Sequence, residues 1–343
     1  MFGINIPTSF QIESTQMRID LSQATFIIPV RIESPDRLRN VVTTTAFLME
    51  NFDTNIIIKE VDKESVFQRD AIPLLEATFI IPIRIESPDR LRNVVTTTAF
   101  LMENFDTNII IKEVDAEPVF QRDALPILED IVEVDNIWKN FNHIYEKSDD
   151  PLFHRQRVLN EMIMESDTEI VVNYDCDVIL PMSSYEAAYK AIMESDCDVV
   201  YPYGDGMYQK QVAADDGICS DFLYSRDYNH LDEASKLHTS DFGWAQFFRR
   251  KVYIEGGMEN ENFRAYAPED KERFYRFSML GYKVARIKNY VYHLEHARGE
   301  NSWFSNPHMQ SNMAEWEKIN TMSKTQLLKY YSEQEYLQKY AGI

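Results

Sequence analysis

Residues 24–76 and 77–129 are nearly the same sequence twice. The 53-residue copies differ at five aligned pairs: Val30/Ile83, Lys63/Ala116, Ser65/Pro118, Ile72/Leu125 and Leu74/Ile127. Stretches this alike are compatible with the same local fold, so the first third of the chain is two copies of one supersecondary unit. That unit reads strand, helix, strand. In the second copy, residues 78–85 (T-F-I-I-P-I-R-I) are an apolar, β-branched run suited to a buried strand. Ser87 as N-cap, Pro88 at the first helical position and Asp89 near the positive helix end then start a helix. It should run to about Asn104, and residues 107–114 (T-N-I-I-I-K-E-V) give a second strand. A right-handed crossover makes the two strands parallel. Near-identity in only two copies is unlike a solenoid, whose repeats drift and number three or more, and reads as a tandem duplication.

Alternation continues downstream. Residues 131–134 read as a short strand, 138–145 as a linking segment, and 153–165 as an amphipathic helix. Residues 169–174 (E-I-V-V-N-Y) form a strand, 184–194 a Ser-capped helix and 199–203 another strand. Residues 204–238 are polar, aromatic and irregular, which suits a substrate-facing loop region. From Asn312 onward the apolar spacing reads as a helical tail. The pattern predicts a mostly parallel α/β sheet flanked by helices. The expected divisions are an extension over 1–76, a main domain over 77–310 and the tail over 311–343.

The strand at 169–174 ends in Asp175-Cys176-Asp177. In an extended segment residues i and i+2 share a face, so both carboxylates point the same way at a strand's C-terminal end. Ligands of open α/β sheets bind at that end. Two carboxylates there repel unless a cation joins them, and a metal-bound nucleotide supplies one. In a chain with 56 acidic residues the same pattern also suits a solvated turn. Downstream lie Asp241 to Trp244, Gly256 to Phe263, Tyr266-Ala267-Pro268-Glu269-Asp270 before a helical stretch, and His293-Leu294-Glu295-His296 after a strand.

A net charge of −21 argues against a general nucleic-acid or anionic-membrane binder. The three cysteines, Cys176, Cys197 and Cys219, form no CxxC and no even framework, which favours a reducing compartment. The first 21 residues have no apolar core like that of a signal peptide, and no run approaches 18 apolar residues. A soluble, cytoplasmic protein is expected.

Taken in order, these motifs resemble the GT-A-type nucleotide-sugar glycosyltransferases, closest to the beta-4-galactosyltransferase group and its bacterial and viral family-2-like relatives. Ile80-Ile81-Pro82-Ile83-Arg84 with Arg90-Leu91 resembles the opening I-I-P-F-R strand and its helix. Phe153-His154-Arg155 with Leu159-Asn160 is similar to F-N-R-x-x-L-L-N, and Asp175-Cys176-Asp177 with Pro181-Met182 to D-V-D-L-I-P-M. Glu269-Asp270 matches the E-D of W-G-G-E-D, and His296-Ala297-Arg298 with Asn306-Pro307 resembles H-S-R followed by N-P. Tyr266 stands where the family has a sugar-stacking tryptophan, and His293 where it has methionine, so donor-sugar and acceptor choice do not carry over.

The resemblance implies a Rossmann-like GT-A fold and a metal-dependent, inverting transfer from a nucleotide-sugar, UDP-linked, to a hydroxyl of a glycan or other acceptor. It implies Mn²⁺, or alternatively Mg²⁺, on Asp177, His293 and His296. Mixed carboxylate and imidazole donors suit Mn²⁺ better. Asp175 would hold ribose or a metal-bound water, Asp270 would act as general base, and Glu269 would bind a sugar. Pro82, Arg84, Glu86, Phe153 and Arg155 would meet the nucleotide. Glu113, at the end of the second strand, could hold base or ribose, and Trp244, Gly257 and Tyr266 would lie along the donor sugar.

Both copies carry Pro-x-Arg-x-Glu (Pro29, Arg31, Glu33 and Pro82, Arg84, Glu86). The second copy leads directly into the rest of the domain and is expected beside the Asp-x-Asp strand. The first would be an added lobe, or would swap into a neighbour's sheet in a homo-oligomer. Two competing readings are a sugar nucleotidyltransferase and a silent carbohydrate-binding scaffold. The former usually has a glycine-rich phosphate loop where this chain has Ile85-Glu86-Ser87-Pro88.

Overall fold

A computed structural model describes residues 19–30, 43–45, 47–48, 52–60, 71–132, 137–240, 242–265, 268–298 and 305–341. Arg31, Glu33, Asp241 and Tyr266 lie outside the described residues. The chain divides into two compact units, residues 1–70 and 71–343. In the first, β1 (Ile19–Val30) pairs in parallel with β2 (Phe52–Glu60), with Phe26 opposite Ile56.

The second unit begins with β3 (Ile72–Ile83), α1 (Pro88–Asn104) and β4 (Phe105–Asp115). Ser87 caps α1, its hydroxyl accepting the Arg90 N–H at 3.2 Å, and Pro88 lies in the first turn. β3 and β4 are parallel with Phe79 opposite Ile109, the same register as the first pair displaced by the repeat length. A π turn over Phe120–Ala124 runs into α2 (Leu125–Ile131), then a 3₁₀ turn leads to β5 (Phe141–Lys147). In place of the short strand expected at 131–134, the helix ends at Ile131 with Val132 as its extended C-cap, and residues 133–136 lie outside the described residues. The segment read as a link is an edge strand. Its residues are mostly half-buried, which removes the continuous apolar run that marks a central strand.

α3 (Arg155–Glu165), β6 (Ile170–Tyr174), β7 (Val178–Ile179), α4 (Met182–Glu194) and β8 (Val199–Tyr201) follow. No serine side chain caps α4, whose N-cap is Pro181. The stretch read as irregular is ordered: β9 (Gly206–Val212), α5 (Asp216–Ser225), α6 (Asn229–Glu233) and β10 (Ser235–Ser240). Its strands carry Gln, Lys, His and Ser rather than an apolar run, so propensity missed them. β11 (Ala245–Arg249), α7 (Arg250–Glu255), α8 (Glu269–Leu280), β12 (Val284–Arg286) and β13 (Val291–Leu294) complete the sheets.

Seven strands form the main sheet in the order β12-β8-β11-β6-β3-β4-β5. β11 runs antiparallel to both neighbours, and every other pairing is parallel. β10-β9-β13-β7 form a second, four-stranded sheet. Phe79, Ile81, Ile109, Ile111, Val171 and Val172 are fully buried at the centre, as expected for strands covered on both faces. From β3 the chain winds outward through β4 to β5, whereas β6 lies on β3's other side. That reversal opens a crevice at the C-terminal ends of β3 and β6.

The tail is three helices, α9 (Met309–Ile319), α10 (Lys324–Ser332) and α11 (Glu335–Ala341). Ile319, Leu327, Tyr330 and Tyr331 pack with Phe263 and Leu280 in a second apolar cluster. Tyr331 Oη donates to Glu272 Oε1 at 2.5 Å, and the Arg276 guanidinium stacks 4.4 Å from the Tyr331 ring centroid.

Candidate active site

A cleft of about 590 Å³ opens at the reversal. The end of β3 contributes Pro82 and Arg84 to its wall, followed by Glu86, and α1 contributes Arg90. Asp175, Cys176 and Asp177 come from the turn after β6, and Phe153 and Arg155 from the start of α3. β11 runs antiparallel to β6, so its leading residues Gly243 and Trp244 reach the same end; the Asp175 N–H donates to the Trp244 carbonyl at 2.8 Å. Glu269 and Asp270 open α8, while His293 and His296 come from β13 and the segment after it.

Asp175 and Asp177 both face the cleft, but through a turn rather than an extended segment. The turn separates their tasks. Asp175 Oδ1 accepts from Arg155 Nη2 at 2.5 Å, and the same nitrogen donates to Asn173 Oδ1 at 3.0 Å. Burial pushes the Asp175 carboxyl above its usual range despite Arg155, with Asp177 and Asp270 adding like charge.

Asp177 is buried and faces two imidazoles and one guanidinium. Its Oδ2 lies 3.3 Å from His296 Nε2, 3.8 Å from His293 Nε2 and 3.2 Å from Arg90 Nη1. Burial alone would raise its pKa, but the two imidazoles and Arg90 hold it well below the carboxylate range. One ligand atom from each of Asp177, His293 and His296 lies within 4.8 Å of the others. Both rings are oriented from behind, His293 Nδ1 by Glu295 Oε1 at 2.9 Å and His296 Nδ1 by the Ala297 carbonyl at 2.7 Å. Each Nε2 is thus turned toward Asp177, the arrangement in which an imidazole serves as a metal ligand. Burial beside the two carboxylates pushes the Cys176 thiol up to about 12, so it stays protonated and offers no thiolate. One carboxylate and two oriented imidazoles fit a divalent ion.

Arg273 is wholly buried in α8 and donates from Nη1 to Asp270 Oδ1 at 2.8 Å. Glu259 holds Arg273 through two bonds of 2.7 and 2.6 Å. Asp270 is only partly exposed, and its other oxygen faces Gly243, where an added Cβ would come within 3.1 Å. Glu269 is buried, and its Oε2 has no hydrogen-bond partner among the described residues. Burial and the adjacent Asp270 charge push its pKa well above the usual range. Arg84 donates from Nε to the Val114 carbonyl and from Nη1 to the Asp150 carbonyl, each at 2.9 Å. Its guanidinium sits 5.5 Å from the Phe153 centroid, and Nη2 is buried without a partner among the described residues.

Two expected site residues are elsewhere. Glu113 is buried behind the strand end, where it accepts the Phe120 N–H at 2.8 Å and lies 3.3 Å from His143 Nε2. It does not line the cleft. Gly257 adopts φ +98°, and Tyr331 would lie 2.6 Å from an added Cβ, so it serves tail packing. Sequence reasoning assigned no site role to Arg90, nor to Gln209 and Gln211 of β9 and His238 and Thr239 of β10. The i, i+2 spacing of Gln209 and Gln211 was the one available signal for that wall. Among the described residues no helix is long and apolar enough to cross a membrane.

No family model matches the chain, and no curated protein matches it. Among solved structures it is similar to a mannosyltransferase from Pyrobaculum calidifontis in complex with GDP-mannose and Mn²⁺, at 13% identity and TM-score 0.48, covering 88% of this chain and 76% of that one. It is also similar to the catalytic domain of a Drosophila beta-1,4-galactosyltransferase, solved with xylobiose and, as a mutant, with manganese, UDP-galactose and xylobiose. Both of those give 14% identity and TM-score 0.39, over 66% of this chain and 72% of theirs. At such values the functional reading rests on this chain's own residues.

Proposed function

We propose that residues 77–310 are a metal-dependent, inverting glycosyltransferase that moves a sugar from a nucleotide-sugar, UDP-linked, to an acceptor hydroxyl. One observation carries the reading: the Asp177, His293 and His296 cluster shares a cleft with the Asp270 carboxylate and with Arg84, Arg90 and Arg155. The ligand set alone also suits zinc or ferrous iron. Three guanidinium groups beside it favour an anionic, phosphate-bearing substrate, and a manganese ion suits phosphate oxygens together with carboxylate and imidazole.

When bound, the divalent ion offsets charge on the departing nucleoside diphosphate. The chain's residues do the rest. Arg84 and Phe153 form a cation–π pair that packs against the base or ribose, and Arg84 Nη2 is the donor still to be satisfied. Arg155 fixes Asp175 for the ribose or a metal-bound water. Arg273 fixes Asp270 by one oxygen. The other oxygen removes the acceptor hydroxyl's proton as that hydroxyl attacks the anomeric carbon, inverting it without a covalent enzyme intermediate. Glu269, and Trp244 and Tyr266 by position in the sequence, meet the sugars. The three free cysteines fit a reducing compartment such as the cytoplasm.

The test is calorimetric titration of UDP-glucose, UDP-galactose, their N-acetylated forms and a GDP-sugar, with and without Mn²⁺, on wild type and Asp177→Ala. We expect Mn²⁺-dependent binding of one donor and its loss in the mutant. No donor bound under any condition would sink the enzyme reading and favour a silent scaffold.

A further inference from the structure

In the second unit the β3–β4 pair is hydrogen-bonded on both sides, β3 to β6 and β4 to β5. Among the described residues of the first unit, β1 and β2 form a two-stranded sheet of their own. Such a pair is marginal by itself. Over residues 24–60 its sequence differs from residues 77–113 only at Val30/Ile83, one methylene at a buried position. It also has the same pairing register. The slot between β5 and β6 therefore has two occupants of nearly equal fit on one chain.

The junction between the copies adds a second, independent observation. Residues 72–76 (I-P-L-L-E) end the first copy, as residues 125–129 (L-P-I-L-E) end the second. Yet the former start strand β3, while the latter start helix α2. The same sequence pattern thus holds two conformations. In the strand, Pro73 has no N–H to donate, the β3–β4 register shifts between Pro73 and Thr78, and Leu75 is exposed. In the helix, the corresponding Pro126 is the second residue of α2, directly after the π turn. Local preference at the junction opposes the strand that the sheet imposes.

We propose that the slot between β5 and β6 is an interaction surface for either copy. In the second arrangement residues 24–76 fill it, residues 72–76 turn helical, and residues 77–129 loop out between Glu76 and Asp130. The exchanged lengths are equal, so the connection onward from Asp130 is unchanged. Both occupants belong to one chain, so the exchange needs no second molecule. The incoming strand presents Pro29 where Pro82 stood, and by sequence Arg31, Glu33 and Arg37 follow it as Arg84, Glu86 and Arg90 follow Pro82. The chain would then carry two sets of the same cleft wall. The exchange does not depend on the reaction proposed above.

Paired cysteines test it in the full chain. Ile110 lies opposite Asn142 in the β4–β5 pair, and Ile57 is the residue of the first copy equivalent to Ile110. Ile57→Cys with Asn142→Cys can link only when the first copy occupies the slot. Lys59→Cys with Ile144→Cys is a second pair built on the Lys112–Ile144 register, should the first destabilise the fold. Under mild oxidation we expect a monomeric disulfide, mapped by mass spectrometry, several-fold above single-cysteine controls. Failure of both pairs while Ile110→Cys with Asn142→Cys links fully overturns the proposal. A link found only between two chains also overturns it, in favour of exchange between molecules.

Discussion

Glu269 and Asp270 are neighbours with opposite circumstances. Asp270 reaches the cleft with one oxygen held by Arg273, whereas Glu269 is buried with an unpartnered oxygen. As general base, Asp270 should carry about 10²–10⁴-fold of rate. Asp270→Asn keeps the Arg273 contact, so Mn²⁺-dependent donor affinity should hold while kcat falls by that factor; equal losses in both would remove its catalytic role. Glu269→Gln should separate function from stability. A carboxyl whose pKa is raised by folding destabilises the fold where it is ionised. That penalty is absent below the unfolded value of about 4.3 and grows as pH rises through the folded value. The mutant should therefore gain on wild type in melting temperature between pH 4 and pH 8, by about 1–3 kcal/mol in stability at the upper end. A gap that stays constant with pH would refute this. Glu269, Asp270 and the two histidines were legible in the sequence, because residue type and order carry that information. Arg90 was not: only the fold brings α1 over the turn at Asp177.

At the scale of elements, α1 links capping to the Asp177, His293 and His296 cluster. Its first turn is fixed by Ser87 and bears Arg90, which donates to Asp177. Ser87→Ala should cost about 1 kcal/mol in urea unfolding. Ser323, which caps α10 through a capping box with Gln326, gives the comparison. Ser323→Ala should cost a similar amount of stability, but only Ser87→Ala should also weaken Mn²⁺-dependent donor binding. Equal Mn²⁺ affinity in the two variants would uncouple the cap from the site. The strand–helix–strand unit was readable because its strands are apolar and its helix is capped in sequence. β5, β9 and β10 were not, since half-exposed polar strands lack a hydrophobic period.

For the whole molecule, the division at residue 70 sets the expectation. Residues 71–343 alone should melt within a few degrees of the full chain and keep Mn²⁺-dependent donor affinity. A tenfold loss of affinity would make the first copy part of the working site. The tail, in contrast, is tied in by buried polar groups: Asn260 Nδ2 donates to the Tyr330 and Tyr331 hydroxyls at 3.3 and 3.2 Å, and the Tyr331 hydroxyl donates to Glu272 Oε1. By itself the sequence determined the α/β class, the doubled unit, the order of the motifs and the residue types of the cleft, because apolar period, capping and carboxylate or imidazole chemistry are local properties. Only the tertiary structure decided that Asp175 and Asp177 divide between Arg155 and the histidines, that Glu113 and Gly257 lie outside the cleft, and that one pentapeptide pattern is strand in one place and helix in another. Those outcomes depend on which distant strand or helix supplies the neighbouring atoms, and local sequence does not carry that information.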